Sequence, residues 1–188
     1  MKKIALATLM AISTVGAYAA QPYVEGAFGL TNADLDCAGT TSCNNNSTGV
    51  KLLGGATIVP NLAVEVGYIN FGTAKASAGN VDLSFKNTAL FGAVALRAEL
   101  VKDLTGVARL GLASVDSKFD SKVSGSTGPT FKGNEAKAIF GLGLEYAIQK
   151  NLKITGALDL TNSAEIKDLP DAGTAALRLI SVGAQYSF

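Results

Sequence analysis

Ser181-Val182-Gly183-Ala184-Gln185-Tyr186-Ser187-Phe188 ends the sequence on a strict alternation. Val182, Ala184, Tyr186 and Phe188 share one face, and Ser181, Gly183, Gln185 and Ser187 share the other. A period of two is the signature of a strand. In water, a terminal strand finishing on Tyr-x-Phe with no polar cover is an aggregation hazard. In a bilayer, the same strand is a lipid-facing stave with an aromatic at the interface.

The same alternation recurs upstream and predicts eight strands. They are placed at residues 22–30, 48–59, 62–71, 87–100, 104–114, 135–148, 152–161 and 174–188. The seventh is the cleanest, with Leu152, Ile154, Leu158 and Leu160 against Lys153, Thr155, Asp159 and Thr161. Segments of about ten residues suit tilted membrane strands better than soluble ones. The connections after the second, fourth and sixth strands are tight, at Pro60-Asn61, Lys102-Asp103 and Gln149-Lys150-Asn151. The other four, residues 31–47, 72–86, 115–134 and 162–173, are long and polar. Short turns on one rim and long loops on the other are the asymmetry of a membrane barrel, and an even strand count permits closure.

Composition agrees. Charged residues make up 16% of the chain, Gly is abundant at 21, Pro is scarce at 4, and His and Trp are absent. Ordinary soluble proteins carry about 25% charge. With no long apolar run after the N-terminus, the apolar surface is spread over many alternating segments. Met1-Lys2-Lys3, an apolar run over residues 4–15 and the small residues Ala17 and Ala19 around Tyr18 predict a cleaved signal peptide over residues 1–20. A membrane anchor is the alternative, and the run is short for one. Residues 21–188 then form one domain with 14 basic and 15 acidic groups, a balance that does not favour nucleic acid.

Cys37 and Cys43 are the two cysteines, and an even count in an exported chain favours a disulfide closing a short loop. Two free thiols are the alternative. Two Cys without His are a poor metal site.

The spacing Ser181-x-Gly183-x-x-Tyr186-x-Phe188 resembles the C-terminal assembly signal of bacterial outer-membrane β-barrels. With the leader, the eight amphipathic strands and the loop asymmetry, the sequence resembles the transmembrane domain of the OmpA-like and porin-family small outer-membrane barrels. The resemblance spans essentially all of the mature chain. It implies an all-β, eight-stranded antiparallel up-and-down transmembrane β-barrel in the bacterial outer membrane. The implied partners are the barrel assembly machinery, outer-membrane lipid and lipopolysaccharide. The sequence departs from full-length OmpA in stopping at the eighth strand, so tethering to the cell wall is not carried over.

An eight-stranded barrel is just wide enough for its inward side chains to fill it. Parity places Glu25, Glu65, Arg97, Arg109, Glu145, Lys153 and Asp159 inside. Distance from the tight turns sets Glu25, Glu65, Arg97, Glu145 and Lys153 low, and Arg109 and Asp159 higher. Buried alone each charge is costly, whereas paired they satisfy one another. The expected arrangement is an ion-pair network plugging the lumen, with Arg97 on Glu145 or Glu65 and Arg109 on Asp159. Gating groups in a small pore are the alternative.

No enzymatic role is expected. The chain has no His, so Ser-His-Asp and Cys-His constellations are absent. Gly141-Leu142-Gly143 lies in a strand and opens no helix, which rules out a phosphate loop. No cofactor is implied. Asn32, Asp34, Asp36, Asn44, Asn45 and Asn46 crowd the first loop, where turn chemistry accounts for them more simply than calcium. Lys118, Lys122 and Lys132 in the third loop and Arg178 on the apolar face of the last strand are candidate contacts for lipopolysaccharide phosphates. The long loops are candidates for an external surface ligand. Three readings follow: a structural and surface-interacting barrel, a small pore for ions or small solutes, and a soluble exported lipocalin-like binder with every strand inverted.

Overall fold

A computed structural model describes residues 20–34, 42–79, 81–123, 126–165 and 174–188. The expected leader through Ala19, Cys37 and the side chain of Cys43 lie outside the described residues.

The elements are β1 (Gln21–Ala33), β2 (Ser42–Asn44), β3 (Asn46–Val59), β4 (Leu62–Ala78), β5 (Val81–Val101), β6 (Leu104–Val123), β7 (Ser126–Gln149), β8 (Leu152–Asn162) and β9 (Ala176–Ser187). Apart from the short β2, each strand pairs antiparallel with its neighbours in the chain. The ring closes where β1 meets β9, from Tyr23 opposite Ser187 to Ala33 opposite Leu177. The small β2 adds to the free side of β4, with Ser42 opposite Ser77. Eight antiparallel staves therefore form a closed up-and-down barrel.

Pro60-Asn61, Lys102-Asp103 and Lys150-Asn151 make the tight turns of one rim. Each sits beside a one-residue register shift, between Thr57 and Val59, Glu99 and Val101, and Ala147 and Gln149. The extra residue sharpens local twist where the chain reverses. Asp103 takes φ 66°, a left-handed conformation that Asp tolerates better than most residues.

Two of the expected long loops are mostly strand. Thr73–Ala78 pairs with Val81–Lys86, and β6 and β7 remain paired from Val115 opposite Glu135 to Val123 opposite Ser126. β5, β6 and β7 thus reach 21, 20 and 24 residues, where about ten suffice to cross a bilayer. Polar composition masked this. The ladder does not need lipid to continue, and Phe85, Phe119 and Phe131 supply inward apolar contacts beyond the membrane band.

Burial alternates along every stave in the inverse sense to a soluble barrel. Phe28, Leu30 and Leu112 are 67–70% exposed, while Glu25, Glu65 and Glu145 are 2% exposed. This is opposite to the lipocalin-like arrangement, which needs the apolar face inside. The outward belt of Leu, Val, Ile, Phe and Tyr is far larger than the apolar patches soluble monomers tolerate. Hydrocarbon is the solvent that such a surface requires.

The closing seam is built around glycine. A Cβ at Gly29 would run into the Ile180 carbonyl oxygen and lie 2.6 Å from Ser181 Cα. A Cβ at Gly183 would strike the Gly26 carbonyl oxygen and lie 2.7 Å from Ala27 Cα. The two strands approach closely there because neither position carries a side chain.

Leu142→Lys, mid-way along the outward face of β7, is expected to cost about 2–4 kcal/mol in urea unfolding from phospholipid vesicles. A water-facing site would barely register the change. Gly183→Val is expected to cost about 1–3 kcal/mol or more through overpacking at the seam, read as loss of the compact band in unheated gel electrophoresis.

Candidate functional site

The seven inward charges read from parity converge in the barrel interior, together with an eighth, Lys51. Starting from β8, Asp159 Oδ2 meets Lys51 Nζ at 2.8 Å, and Lys51 Nζ lies 3.2 Å from Glu25 Oε1. The other Glu25 oxygen meets Arg109 Nη2 at 3.3 Å, and Arg109 Nε donates to Glu65 Oε2 at 2.6 Å. Glu65 Oε1 lies 3.3 Å from Arg97 Nη2, which is 3.2 Å from Glu145 Oε1. Glu145 Oε2 then accepts from Lys153 Nζ at 2.7 Å.

Among the described residues, the result is one unbranched chain of eight groups whose sign alternates at every link. Four acids face four bases, so this network is formally neutral. Seven of the eight staves contribute, β9 alone supplying an uncharged residue, the buried Gln185. The side chains are at least nine-tenths buried except for Lys153, which is 26% exposed at the short-turn end.

Around Arg97 the contacts are more varied. Tyr23 Oη donates to Glu65 Oε1 at 2.6 Å, and its ring centroid lies 4.4 Å from the Arg97 guanidinium carbon. A guanidinium over an aromatic face gains from the ring quadrupole where water is scarce. Arg97 Nη1 also reaches Thr57 Oγ1 at 3.4 Å.

Arg97 meets both of its expected partners, Glu145 and Glu65. Arg109 instead pairs with Glu25 and Glu65, and Asp159 pairs with Lys51. Lys51 and Asp159 lie at similar distances from their tight turns, nine and eight residues, and meet although β1 and β9 stand between their strands. Lys51 was nonetheless readable in two ways. Val50 and Leu52 point outward, which puts Lys51 inward, and the parity set alone has four acids against three bases. Tyr23 shares the inward parity of Glu25 in β1.

Above the charges lies an apolar layer of Ile69, Phe71, Val115, Ile139, Leu177 and Leu179, each nearly or wholly buried. Over it, Ser117 Oγ donates to Asn87 Oδ1 at 2.6 Å and accepts the Ala164 N–H at 3.0 Å. Ser163 Oγ accepts the Ala175 N–H at 2.9 Å, joining the residues that follow β8 to those that precede β9. At the other rim an open vestibule of about 560 Å³ leads down to Arg97 and Lys153.

In the described parts of the first loop one Asn contact is a local turn and another bridges the β1–β3 ladder. Asn44 Oδ1 accepts the Asn46 N–H at 3.1 Å, and Asn32 Nδ2 donates to Asn46 Oδ1 at 3.0 Å. No cluster of metal-ligating side chains occurs among the described residues. Lys118, Lys122, Lys132 and Arg178 are exposed, and the last points outward between Leu160 and Asn32. At the C-terminus Ser181 is buried, Gly183 packs in the seam, and Tyr186 and Phe188 face outward with ring centroids 5.2 Å apart, edge to face.

A closed eight-stave cylinder with an apolar exterior and a charged interior defines a small outer-membrane-type β-barrel. A family model, the OmpA-like transmembrane domain, matches residues 16–188, and the chain belongs to that family. Among solved structures, it is similar in fold to Ail, the attachment invasion locus protein of Yersinia pestis, crystallised with the heparin analogue sucrose octasulfate. That match has a TM-score of 0.60 and 13% identity, and covers 90% of this chain and 99% of the other. Neisserial surface protein A gives a TM-score of 0.60 at 12% identity, covering 89% of this chain and 97% of the other. A major outer membrane protein from Thermus thermophilus gives 0.65 at 14% identity, covering 91% and 100%. At such identities the likeness is one of fold. No curated protein matches the sequence. In outer-membrane barrels generally, short turns face the periplasm and longer connections face outside.

Lys51→Met removes the cation shared by Glu25 and Asp159, and is expected to destabilise the folded barrel by about 3–5 kcal/mol. Combining it with Asp159→Leu is expected to recover a large part of that loss. Urea titration of both variants in vesicles, followed by far-UV circular dichroism, checks the pair.

Proposed function

We propose that this protein is a non-enzymatic outer-membrane barrel that contributes to envelope structure and presents its outer strands and loops to the surroundings. The carrying observation is the buried charge chain that crosses the lumen. The eight-membered charge chain occupies the lower lumen, and the apolar layer and its hydrogen-bonded cover occupy the upper part. An ion entering from either end must displace both, and the charge chain is held by partners on seven staves. The network therefore acts as a plug.

Residues 1–20 act as the export signal, and Cys37 and Cys43 form a disulfide in the first outer loop. Ser181, Gly183, Tyr186 and Phe188 present the terminal strand to the barrel assembly machinery. Lys118, Lys122, Lys132 and Arg178 meet phosphate groups of lipopolysaccharide. The heparin analogue carried by the Yersinia pestis neighbour supports a further role for the outer rim in holding an anionic external ligand.

The second reading, a small pore, draws on the periplasmic vestibule that already reaches Arg97 and Lys153. Planar-bilayer recording of the mature protein separates the two. The plugged barrel is expected to give no steady openings. Steady wild-type openings that vanish in Arg97→Gln or Arg109→Gln would establish the pore instead.

A further inference from the structure

The chain of ion pairs ends on a cation that faces open space. Lys153 is its last member, with Glu145 as its one acid among the described residues, whereas Lys51, Arg97 and Arg109 each meet two. Of the three donors on Lys153 Nζ, one goes to Glu145 at 2.7 Å. The side chain lines the short-turn vestibule of about 560 Å³. Arg97 lines the same space, and its Nη1 makes only the 3.4 Å contact with Thr57. Lys150 adds a third cation to the lining, against Glu99 as its acid. An anion set on Lys153 would continue the alternation of sign by one more link.

Beside Lys153 stands a neutral group with an unmet need. Gln185 lies directly opposite Lys153 in the β8–β9 ladder and directly opposite Glu25 in the β1–β9 ladder. It is 2% exposed and lines the vestibule, and its Oε1 has no hydrogen-bond partner among the described residues. A buried acceptor without a donor is costly. Leu or Met would fill much the same volume without that cost, so packing alone does not call for Gln here. The last torsion of a Gln side chain is soft, and the amide can turn towards the vestibule without leaving its rotamer.

The two needs select a ligand. Residues directly opposed in a ladder hold their Cβ atoms about 5 Å apart. A molecule that serves both Lys153 and Gln185 therefore carries an anionic group and a hydrogen-bond donor within a few bonds of each other. Glu145 already sets a carboxylate on both Lys153 and Arg97, so a carboxylate suits these cations. The donor is a hydroxyl or an ammonium. An ammonium would enter a space lined by three cations and one acid, whereas a hydroxyl brings its proton without that repulsion.

We propose that Lys153, Arg97 and Gln185 form a binding site for a small hydroxycarboxylate at the short-turn mouth of the barrel. The carboxylate sits on Lys153 and Arg97, and the hydroxyl donates to Gln185 Oε1. In an outer membrane that mouth opens to the periplasm, so the ligand is a periplasmic solute. The site goes beyond the envelope role and holds whether or not the lumen conducts, because the ligand enters and leaves by the same mouth.

Nitrogen-15 NMR of the mature barrel in detergent micelles, titrated at constant ionic strength with glycerate, propionate, alanine or glycerol, tests it. Glycerate is expected to shift the Gln185 side-chain amide and the Lys153 backbone amide saturably. Its Kd is expected to lie about tenfold or more below those of the other three, which lack the hydroxyl, carry an ammonium or lack the charge. Gln185→Leu is expected to bind glycerate and propionate alike, and Lys153→Met to weaken glycerate about tenfold or more. Gln185→Leu leaves every ion pair intact, so its result stands even where Lys153→Met unfolds the barrel. A wild type without the glycerate preference, or a Gln185→Leu variant that keeps it, overturns the site. Inorganic phosphate that matches glycerate in both wild type and Gln185→Leu overturns it in favour of a general attraction for anions. Each of these failures leaves the plugged barrel untouched, since conductance is what decides that reading.

Discussion

Hydrocarbon offers a peptide group no hydrogen bond, so a backbone that crosses it must find every partner within the protein. For this chain that requirement is met by antiparallel neighbours on both sides of each stave, including the β1–β9 junction. Closure removes the last two edges. It also fixes which face of each strand looks out, and alternation then sends the other face into a space too narrow for water in quantity. The outward Leu and Val side chains and the inward Glu and Arg side chains are two results of one geometric condition.

Inside that space the charges are arranged for mutual satisfaction. Each of the six interior members of the chain from Asp159 to Lys153 touches one neighbour of opposite sign on each side. Removing a group from the middle strands two partners, whereas the exposed end at Lys153 leaves only Glu145. Such pairs are weak evidence for stability in themselves, because desolvation offsets much of the Coulomb gain. What they do supply is register: a stave shifted by one residue would turn its charge into lipid.

The membrane-crossing part and the facing of every stave were legible from period two, because the solvent on each side imposes it residue by residue, and the tight turns from their Pro, Asn and Asp residues. The interior set was legible by the same rule, and Lys51 could have been added to it from its neighbours Val50 and Leu52. Partner choice was not. Arg109 reaching Glu25, and Lys51 reaching Asp159, depend on stagger between strands distant in sequence, which no local pattern encodes. The paired extensions of β5, β6 and β7 were hidden for a different reason. Outside the membrane both faces of a strand can be polar, so the contrast that marks a stave fades although Phe85, Phe119 and Phe131 still alternate with lysine.

The seam between β1 and β9 carries a consequence for how the protein is made. Tyr23 and Ser187 are ladder partners, yet almost the entire polypeptide is synthesised between them. The cylinder therefore cannot shut until β9 has been made. Until then β1 and the latest strand keep unpaired margins and an oily flank, a surface that water tolerates poorly.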